Sequence, residues 1–330
     1  MKCVEKISVV MCTYNGAKYL KEQLDSIINQ TYPIYEMIIQ DDCSTDDTMT
    51  ILQEYANKFS YIKVFQNFEQ KGINKNFFSA IIKATGDYIA ISDQDDIWEL
   101  DKIEYQINSI GDDWLSSGFS RPFVNGRNIN CHFDRRIPNC TLERMMYVGV
   151  TPGHTMLFKK NVMGKIPHLD KYMCFYTYDK VIQMVVAAYG KIQFCDHILV
   201  NNRRHIQAAT YTPSLSYEWN FLNVLKSIYR TFKLRLELKD GIKEYFGKTF
   251  VFLQDLPMEA IYKDNAIKMA LYQSRGSFVS YIKLIFLCVK LRNKIFYSPE
   301  KNLFFSVFRA LFFPISCSDY FRYMSKSFKK

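Results

Sequence analysis

The sequence predicts an α/β protein: a mostly parallel sheet within residues 1–214, followed over 215–330 by a mainly α-helical region. Three observations predict it. Up to Ser92, short apolar runs alternate with segments of helical periodicity, which is how strand–helix–strand units with a parallel sheet read. Three of those runs end abruptly in polar, mostly acidic residues, as buried strands do where they leave a sheet. The charge is split: residues 1–214 carry 23 Lys/Arg against 24 Asp/Glu and residues 215–330 carry 20 against 9, so the whole net charge of +10 is C-terminal.

The first apolar run, Ile7–Cys12, reads as a strand and gives way to the polar turn Thr13-Tyr-Asn-Gly16. Ala17–Gln30 reads as a helix, because Leu20, Leu24, Ile27 and Ile28 share one face, and Pro33 stops it. Tyr35–Gln40 is a second strand, ending in Asp41-Asp42-Cys-Ser-Thr-Asp-Asp47, where Ser44 or Thr45 is expected to cap a helix buried through Ile51, Leu52, Tyr55 and Phe59. A short strand, Ile62–Phe65, leads to a helix carrying Phe77, Phe78, Ile81 and Ile82, with Gly86 as its stop. The strand Tyr88–Ile91 then runs into Asp93, Asp95 and Asp96. Beyond it, Glu99–Ile110 is expected to be helical and Gly111–Arg121 a polar loop, while 122–150 leaves room for a strand or two. Thr151–Phe158 reads as a turn entering a strand, Val181–Ala188 as a helix, and Ile198 onward as a strand. Glu218–Leu238, Gly241–Leu253 and Ser277–Leu291 complete the helical half.

An apolar fraction of 48% with 23% charged residues is globular composition. The nine cysteines (3, 12, 43, 131, 140, 174, 195, 288 and 317) are odd in number, scattered and without a C-x-x-C pair, which favours reduced thiols in a cytosolic protein over disulfides or zinc. No signal peptide is expected, since Ile7–Cys12 is short and has no small-residue cleavage pattern after it. The basic C-terminal half points to an anionic surface. Leu303–Phe313 is very apolar but 11 residues long, holds Arg309 and ends at Pro314. A bilayer span takes about 20 residues, so an interfacial helix fits better than a crossing one. Packing of the same helices on the catalytic core or on a second subunit is the other reading. No nucleic-acid-binding motif of recognised spacing is present.

Asp93 and Asp95 are one residue apart, which in extended chain puts both on one side. Two hard oxygen ligands at the carboxyl end of a strand suit Mg²⁺ or Mn²⁺ carrying a substrate diphosphate. A lone Asp-x-Asp is more often a solvated turn. Here Thr13, Tyr14 and Asn15 follow one strand, Asp41 and Asp42 a second, and Asp93 to Asp96 a third, and in a parallel sheet these ends share one crevice.

Ser8-Val-Val-Met-Cys-Thr-Tyr-Asn15, Gln40-Asp-Asp-Cys-Ser-Thr-Asp-Asp-Thr48 and Ser92-Asp-Gln-Asp-Asp-Ile-Trp98 together resemble the successive motifs of family 2 glycosyltransferases with the Rossmann-like GT-A fold. The Asp-Gln-Asp-Asp-Ile-Trp form is most similar to the bacterial rhamnosyltransferase-like branch, and the likeness covers roughly residues 5–210. It implies an inverting, metal-dependent enzyme that moves a sugar from a UDP-, dTDP- or GDP-linked donor to a hydroxyl of a glycan or lipid-linked oligosaccharide at the cytoplasmic membrane face, in bacterial surface polysaccharide synthesis. It implies that Asp42 meets the nucleobase in a pocket lined by Thr13, Tyr14 and Asn15, that Asp93 lies near the ribose hydroxyls and the metal, and that Asp95 binds Mn²⁺ or Mg²⁺ directly. Asp96 either supports those ligands or touches the acceptor. Thr151–Phe158 resembles the segment beneath the acceptor, where Gly153 permits close approach; His154 departs from the family's habit and is given no chemical role. Asp179, which by itself reads as a carboxylate at a helix N-terminus, matches the general base. Ile198–Gln207 is similar to the family's strand ending in Arg-x-His, which implies His205 as a further metal ligand and Arg203 or Arg204 at the diphosphate; a polar loop after a strand is the plain alternative.

Two rival classes fit less well. A nucleotidyltransferase opens with a Gly-rich phosphate loop, whereas Thr13-Tyr-Asn-Gly-Ala-Lys18 has a single glycine. A non-catalytic membrane-binding protein built on a retired domain need not keep Asp42, Asp93, Asp95 and Asp179 together.

Overall fold

The computed structural model describes residues 4–124, 133, 135–149, 151–173, 175–205, 221–296 and 302–316. The chain divides into two compact units, one of Met1–Arg135, Thr151–Val186 and Lys191–Thr212, the other of Arg136–Val150, Ala187–Gly190 and Pro213–Lys330. The boundary expected at 214/215 and part of the 122–150 segment lie outside the described residues, as do Cys3, Cys131, Cys174 and Cys317. Cys12, Cys43, Cys140, Cys195 and Cys288 are free thiols.

The first unit is organised by an eight-stranded sheet: β1 Ile7–Thr13, β2 Glu36–Asp41, β3 Ile62–Gln66, β4 Tyr88–Ser92, β5 Ile97–Trp98, β6 Leu115–Phe123, β7 Leu157–Lys159 and β8 Ile192–Arg203, in the order β3-β2-β1-β4-β7-β6-β8-β5. The apolar runs of β1, β2 and β4 are buried along nearly their whole length, which is why they read as continuous rather than alternating. β3, β2, β1 and β4 run parallel, β7 is antiparallel to β4 and β6, and β8 is parallel to β6. Chain order reverses at β1, with β2 on one side and β4 on the other, so the ends of β1 and β4 flank a switch point. Helices Ala17–Ile28, Thr48–Lys58 and Ile73–Lys83 connect these strands, and Leu20, Leu24, Ile27, Ile51 and Leu52 pack with Val9, Met11, Met37 and Ile39 in the core.

Gly111–Arg121, expected as a loop, is mostly the strand β6. Its residues Ser116, Ser117 and Gly118 look like turn chemistry, yet all three are buried. The hydroxyls are satisfied locally, Ser117 Oγ with Thr155 Oγ1 at 2.7 Å and Ser116 Oγ with Gln193 Oε1 at 3.0 Å, and Leu199 packs so close that any Cβ on Gly118 would lie 2.8 Å from it. Ser44 and Thr45 cap nothing either. The helix Thr48–Lys58 starts after Asp47, and Ser44 bonds Asp41 instead.

The second unit is helical: Phe221–Glu237, Lys239–Asp255, Asp264–Arg275, Phe278–Lys290 and Leu303–Ser316, with short pieces at Leu142–Met145 and Arg292–Ile295. Tyr147 is its aromatic centre, 4.8 Å from both Phe246 and Phe313. Asp264–Arg275, a helix beyond those expected, buries Ala266, Met269, Ala270 and Gln273 on one face and ends at Gly276 with φ 62°. The last helix runs through Pro314 rather than ending there. So close to its end the ring removes only one hydrogen bond, and the proline carbonyl accepts from Arg235 at 3.3 Å. Among the described residues no helix is long and apolar enough to cross a membrane.

Candidate active site

Parallel pairing brings the strand ends into register, with Thr13 opposite Asp41 and Met11 opposite Ser92. The residues that follow therefore meet at one edge. Thr13, buried, donates from Oγ1 to Asp41 Oδ1 at 2.8 Å, and Asp41 also accepts from the Ser44 amide at 2.9 Å. Asn15 takes the left-handed conformation (φ 48°), its amide donating to Ser44 Oγ at 2.9 Å and its Oδ1 accepting from the Thr45 amide at 2.8 Å. Asp41 and Asn15 thus tie the loops after β1 and β2 together.

Asp42 is buried, and three donors reach it: Asn67 Nδ2 and the Lys71 amide on Oδ1, both at 2.7 Å, and the Gly72 amide on Oδ2 at 2.8 Å. An ionised carboxylate has about four acceptor positions, so one remains on Oδ2. Tyr14 is clasped by its backbone: Gln94 Oε1 accepts from its amide at 2.9 Å and Gln94 Nε2 donates to its carbonyl at 3.0 Å, while the residue stays 45% exposed. A Cβ on Gly16 would fall 2.2 Å from Gln94 Oε1, so that glycine is required for the clasp. Gln94, the middle residue of Asp93-Gln-Asp95, therefore joins the loop after β1 to the acidic loop. A glutamine between two aspartates carries no sequence signal for this role, which depends on the turn after β1.

The carboxylates divide into two groups. Asp95 Oδ2 lies 2.7 Å from His205 Nε2, and burial, with Asp93 next, raises its pKa. Asp93 Oδ2 lies 3.4 Å and Asp96 Oδ2 3.8 Å from Nδ1 of His154, the residue given no role from sequence. His154 Nε2 is held by Ser120 Oγ at 2.8 Å. Burial opposes its charge, but Asp96, Asp93 and Asp95 together outweigh burial and raise its pKa. Asp96 is completely buried. Its Oδ1 accepts from Asn202 Nδ2 at 2.9 Å and the Arg203 amide at 3.0 Å, its Oδ2 has no hydrogen-bond partner, and burial raises its pKa.

This donor set fits a hard divalent cation. Among the described residues Asp93, Asp96 and His154 offer ligand atoms within 4.8 Å of one another, with the Asp95–His205 pair beside them. An orphaned buried carboxylate oxygen is the sort of atom a cation satisfies, and carboxylate with imidazole suits Mn²⁺ or Mg²⁺.

Arg203, expected at the diphosphate, is buried between the rings of Tyr19 (4.4 Å) and Phe123 (4.6 Å). Its Nε donates to the Asp95 carbonyl at 2.9 Å and its Nη2 to Glu22 at 2.7 Å. It thereby holds the acidic loop from behind. Arg204 bonds through its amide to the Phe123 carbonyl at 2.8 Å.

Asp179 lies in the first turn of the helix Tyr178–Ala188 and accepts from the Lys180 amide at 2.8 Å. Burial raises its pKa against the Thr177 hydroxyl and Lys180 amide, and Asp93 raises it further, so the two carboxylates feel each other. Gly153 belongs to the turn Gly153–Thr155, and a Cβ there would meet the Tyr178 hydroxyl oxygen at 2.3 Å and Asp179 Cβ at 3.5 Å. The close approach at Gly153 is thus to the helix Tyr178–Ala188, itself anchored by Tyr178 stacking on Phe77 at 4.1 Å.

Comparison with known proteins shows the family and the fold. The model of the family described as glycosyl transferase family 2 matches residues 8–183. TuaG of Bacillus subtilis (strain 168), named as a teichuronic acid biosynthesis glycosyltransferase, is 40% identical over 202 residues, 59% of this chain and 80% of that protein. The dTDP-rhamnosyl transferase RfbG of Shigella flexneri is 40% identical over 105 residues, 30% of this chain and 36% of that protein. The crystal structure of S. aureus TarS 1–349 in complex with UDP-GlcNAc superposes with a TM-score of 0.56 at 18% identity, covering 96% of this chain and 91% of that one. The architecture is the GT-A arrangement that the motifs implied.

Proposed function

Since the chain belongs to glycosyl transferase family 2 and is a glycosyltransferase, we propose that it performs an inverting, metal-dependent transfer from a nucleoside-diphosphate sugar to a hydroxyl of a glycan or lipid-linked oligosaccharide. The setting would be bacterial surface polysaccharide synthesis at the inner face of the cell membrane. The observation that carries this reading is the gathering of groups from four strand ends, Tyr14 after β1, Asp42 after β2, Asp93 to Asp96 after β4 and His205 after β8, with Asp179 close enough to feel the charge of Asp93.

In this reading the free acceptor position on Asp42 Oδ2 takes a nucleobase N–H, with the Tyr14 ring beside it and Thr13 and Asn15 fixing the loop. Asp93 serves the ribose and the cation. Asp95, Asp93 and His205 would hold Mn²⁺ or Mg²⁺, with Asp96 and His154 in reach, and a bound ion supplies Lewis-acid neutralisation of the departing diphosphate. Arg203 acts on the donor through Asp95, whose backbone it fixes. Asp179 takes the proton of the acceptor hydroxyl as that oxygen bonds to the anomeric carbon and the bond from that carbon to the diphosphate breaks. The donors named for relatives are UDP- and dTDP-linked, which makes these the first to try.

The role of the base is tested by Asp179→Asn. The variant is expected to bind donor as the wild type does and to lose roughly 10²–10⁴-fold in kcat, the range for removing a positioned base. Full transfer by the folded variant would remove Asp179 from that role.

A further inference from the structure

Two helices of the second unit carry their apolar residues on the unusual side. In Phe278–Lys290 the buried positions are Ser280, Leu284 and Cys288, a stripe at i, i+4 and i+8 that is mostly small, while Phe278, Ile282 and Phe286 point outward, Phe286 being 72% exposed. Leu303–Ser316, which packs on it, buries Ser306, Ala310 and Phe313 and exposes Phe304, Phe308 and Leu311. Amphipathic helices ordinarily do the reverse. At about 100° per residue, Lys283 and Lys290 fall along one flank of the exposed stripe of the first helix, where long side chains lay their stems on apolar surface and lift the ammonium toward an interface. A contiguous exposed apolar patch of this kind marks an interaction surface.

We propose that this face docks on an anionic lipid bilayer. Charge selects that occupant: neither helix contains an acidic residue, and residues 215–330 hold 20 Lys/Arg against 9 Asp/Glu. A second copy of the same face would oppose like charges, whereas anionic headgroups neutralise them while the aromatic residues enter the acyl boundary. Neither helix crosses a membrane. The inference deepens the proposed function by naming the surface on which a lipid-linked acceptor is met, and it rests on that reading for the acceptor alone.

Flotation of the full chain with vesicles of phosphatidylcholine alone, or of equal phosphatidylcholine and phosphatidylglycerol, tests it without any nucleotide sugar. The chain is expected to float with the anionic vesicles, less as salt rises, and to remain behind with the neutral ones. Phe286→Ser with Phe304→Ser is expected to lower partitioning about tenfold or more, and Lys283→Gln with Lys290→Gln to remove the preference for anionic lipid. Donor turnover, measured separately, should persist in both. Failure to float with anionic vesicles overturns the proposal. So does a concentration-dependent dimer that the Phe→Ser pair abolishes in place of vesicle binding. Floating without donor turnover would instead overturn the enzymatic reading and leave the docking face standing.

Discussion

At the scale of residues, the site depends on side chains that hold the loops around it. Gln94 is the clearest case, because both of its hydrogen bonds go to the Tyr14 peptide. Gln94→Ala removes both bonds. Gly16→Ala breaks the same clasp from the other side by placing a Cβ 2.2 Å from Gln94 Oε1. Two neutral hydrogen bonds contribute about 0.5–1.5 kcal/mol each, and where that contribution goes into holding the loop in its ligand-binding form, either variant is expected to weaken donor binding by roughly tenfold. Calorimetric titration of nucleoside diphosphate checks this, and unchanged affinity in both variants would show that the clasp does not shape the base pocket. Gly153→Ala acts on the other wall. Its Cβ displaces the Tyr178 hydroxyl, and with it Asp179, so kcat should fall more than KM rises.

At the scale of elements, the start of β2 is held by a buried charge. Glu36 accepts from Ser8 Oγ at 2.7 Å, the Thr85 amide at 2.6 Å and Lys63 Nζ at 2.7 Å. Burial opposes its ionisation, but these bonds outweigh burial and lower its pKa from 4.5 to about 2. A group with a depressed folded-state pKa stabilises fully above its unfolded value and loses that contribution as pH falls toward the folded one. Glu36 should therefore contribute on the order of 3 kcal/mol at neutral pH, lost between about pH 4.5 and 2. Denaturant melts should show Glu36→Gln less stable at pH 7, with a weaker pH dependence in that window; parallel pH profiles for the two proteins would contradict this. Elements also set the limits of what was legible. β1, β2 and β4 were readable because central parallel strands are apolar throughout. β6 was not, because Ser116, Ser117 and Gly118 owe their burial to partners, Thr155, Gln193 and Leu199, that lie far away in sequence. The helix Phe278–Lys290 was placed correctly, but periodicity finds an apolar face without saying whether protein covers it.

At the scale of the whole molecule, one end of one sheet gathers the candidate site. Its motifs were legible because each follows a strand directly. The residues that complete them were not: His154, Asn67, Glu22 and Asn202 reach the site from separate segments, and only the pairing of β6, β7 and β8 brings His154 and Asn202 to Asp96. In the proposed function these strand-end carboxylates activate a nucleotide sugar with a divalent ion. The direct measurement is slow hydrolysis of a panel of UDP-, dTDP- and GDP-sugars with and without Mn²⁺ or Mg²⁺, Asp95→Ala run beside the wild type. Metal-dependent turnover of a donor from one nucleotide class is expected, and is lost in the variant. Turnover indifferent to metal and to Asp95, or no binding of any nucleotide sugar by the folded protein, would contradict it.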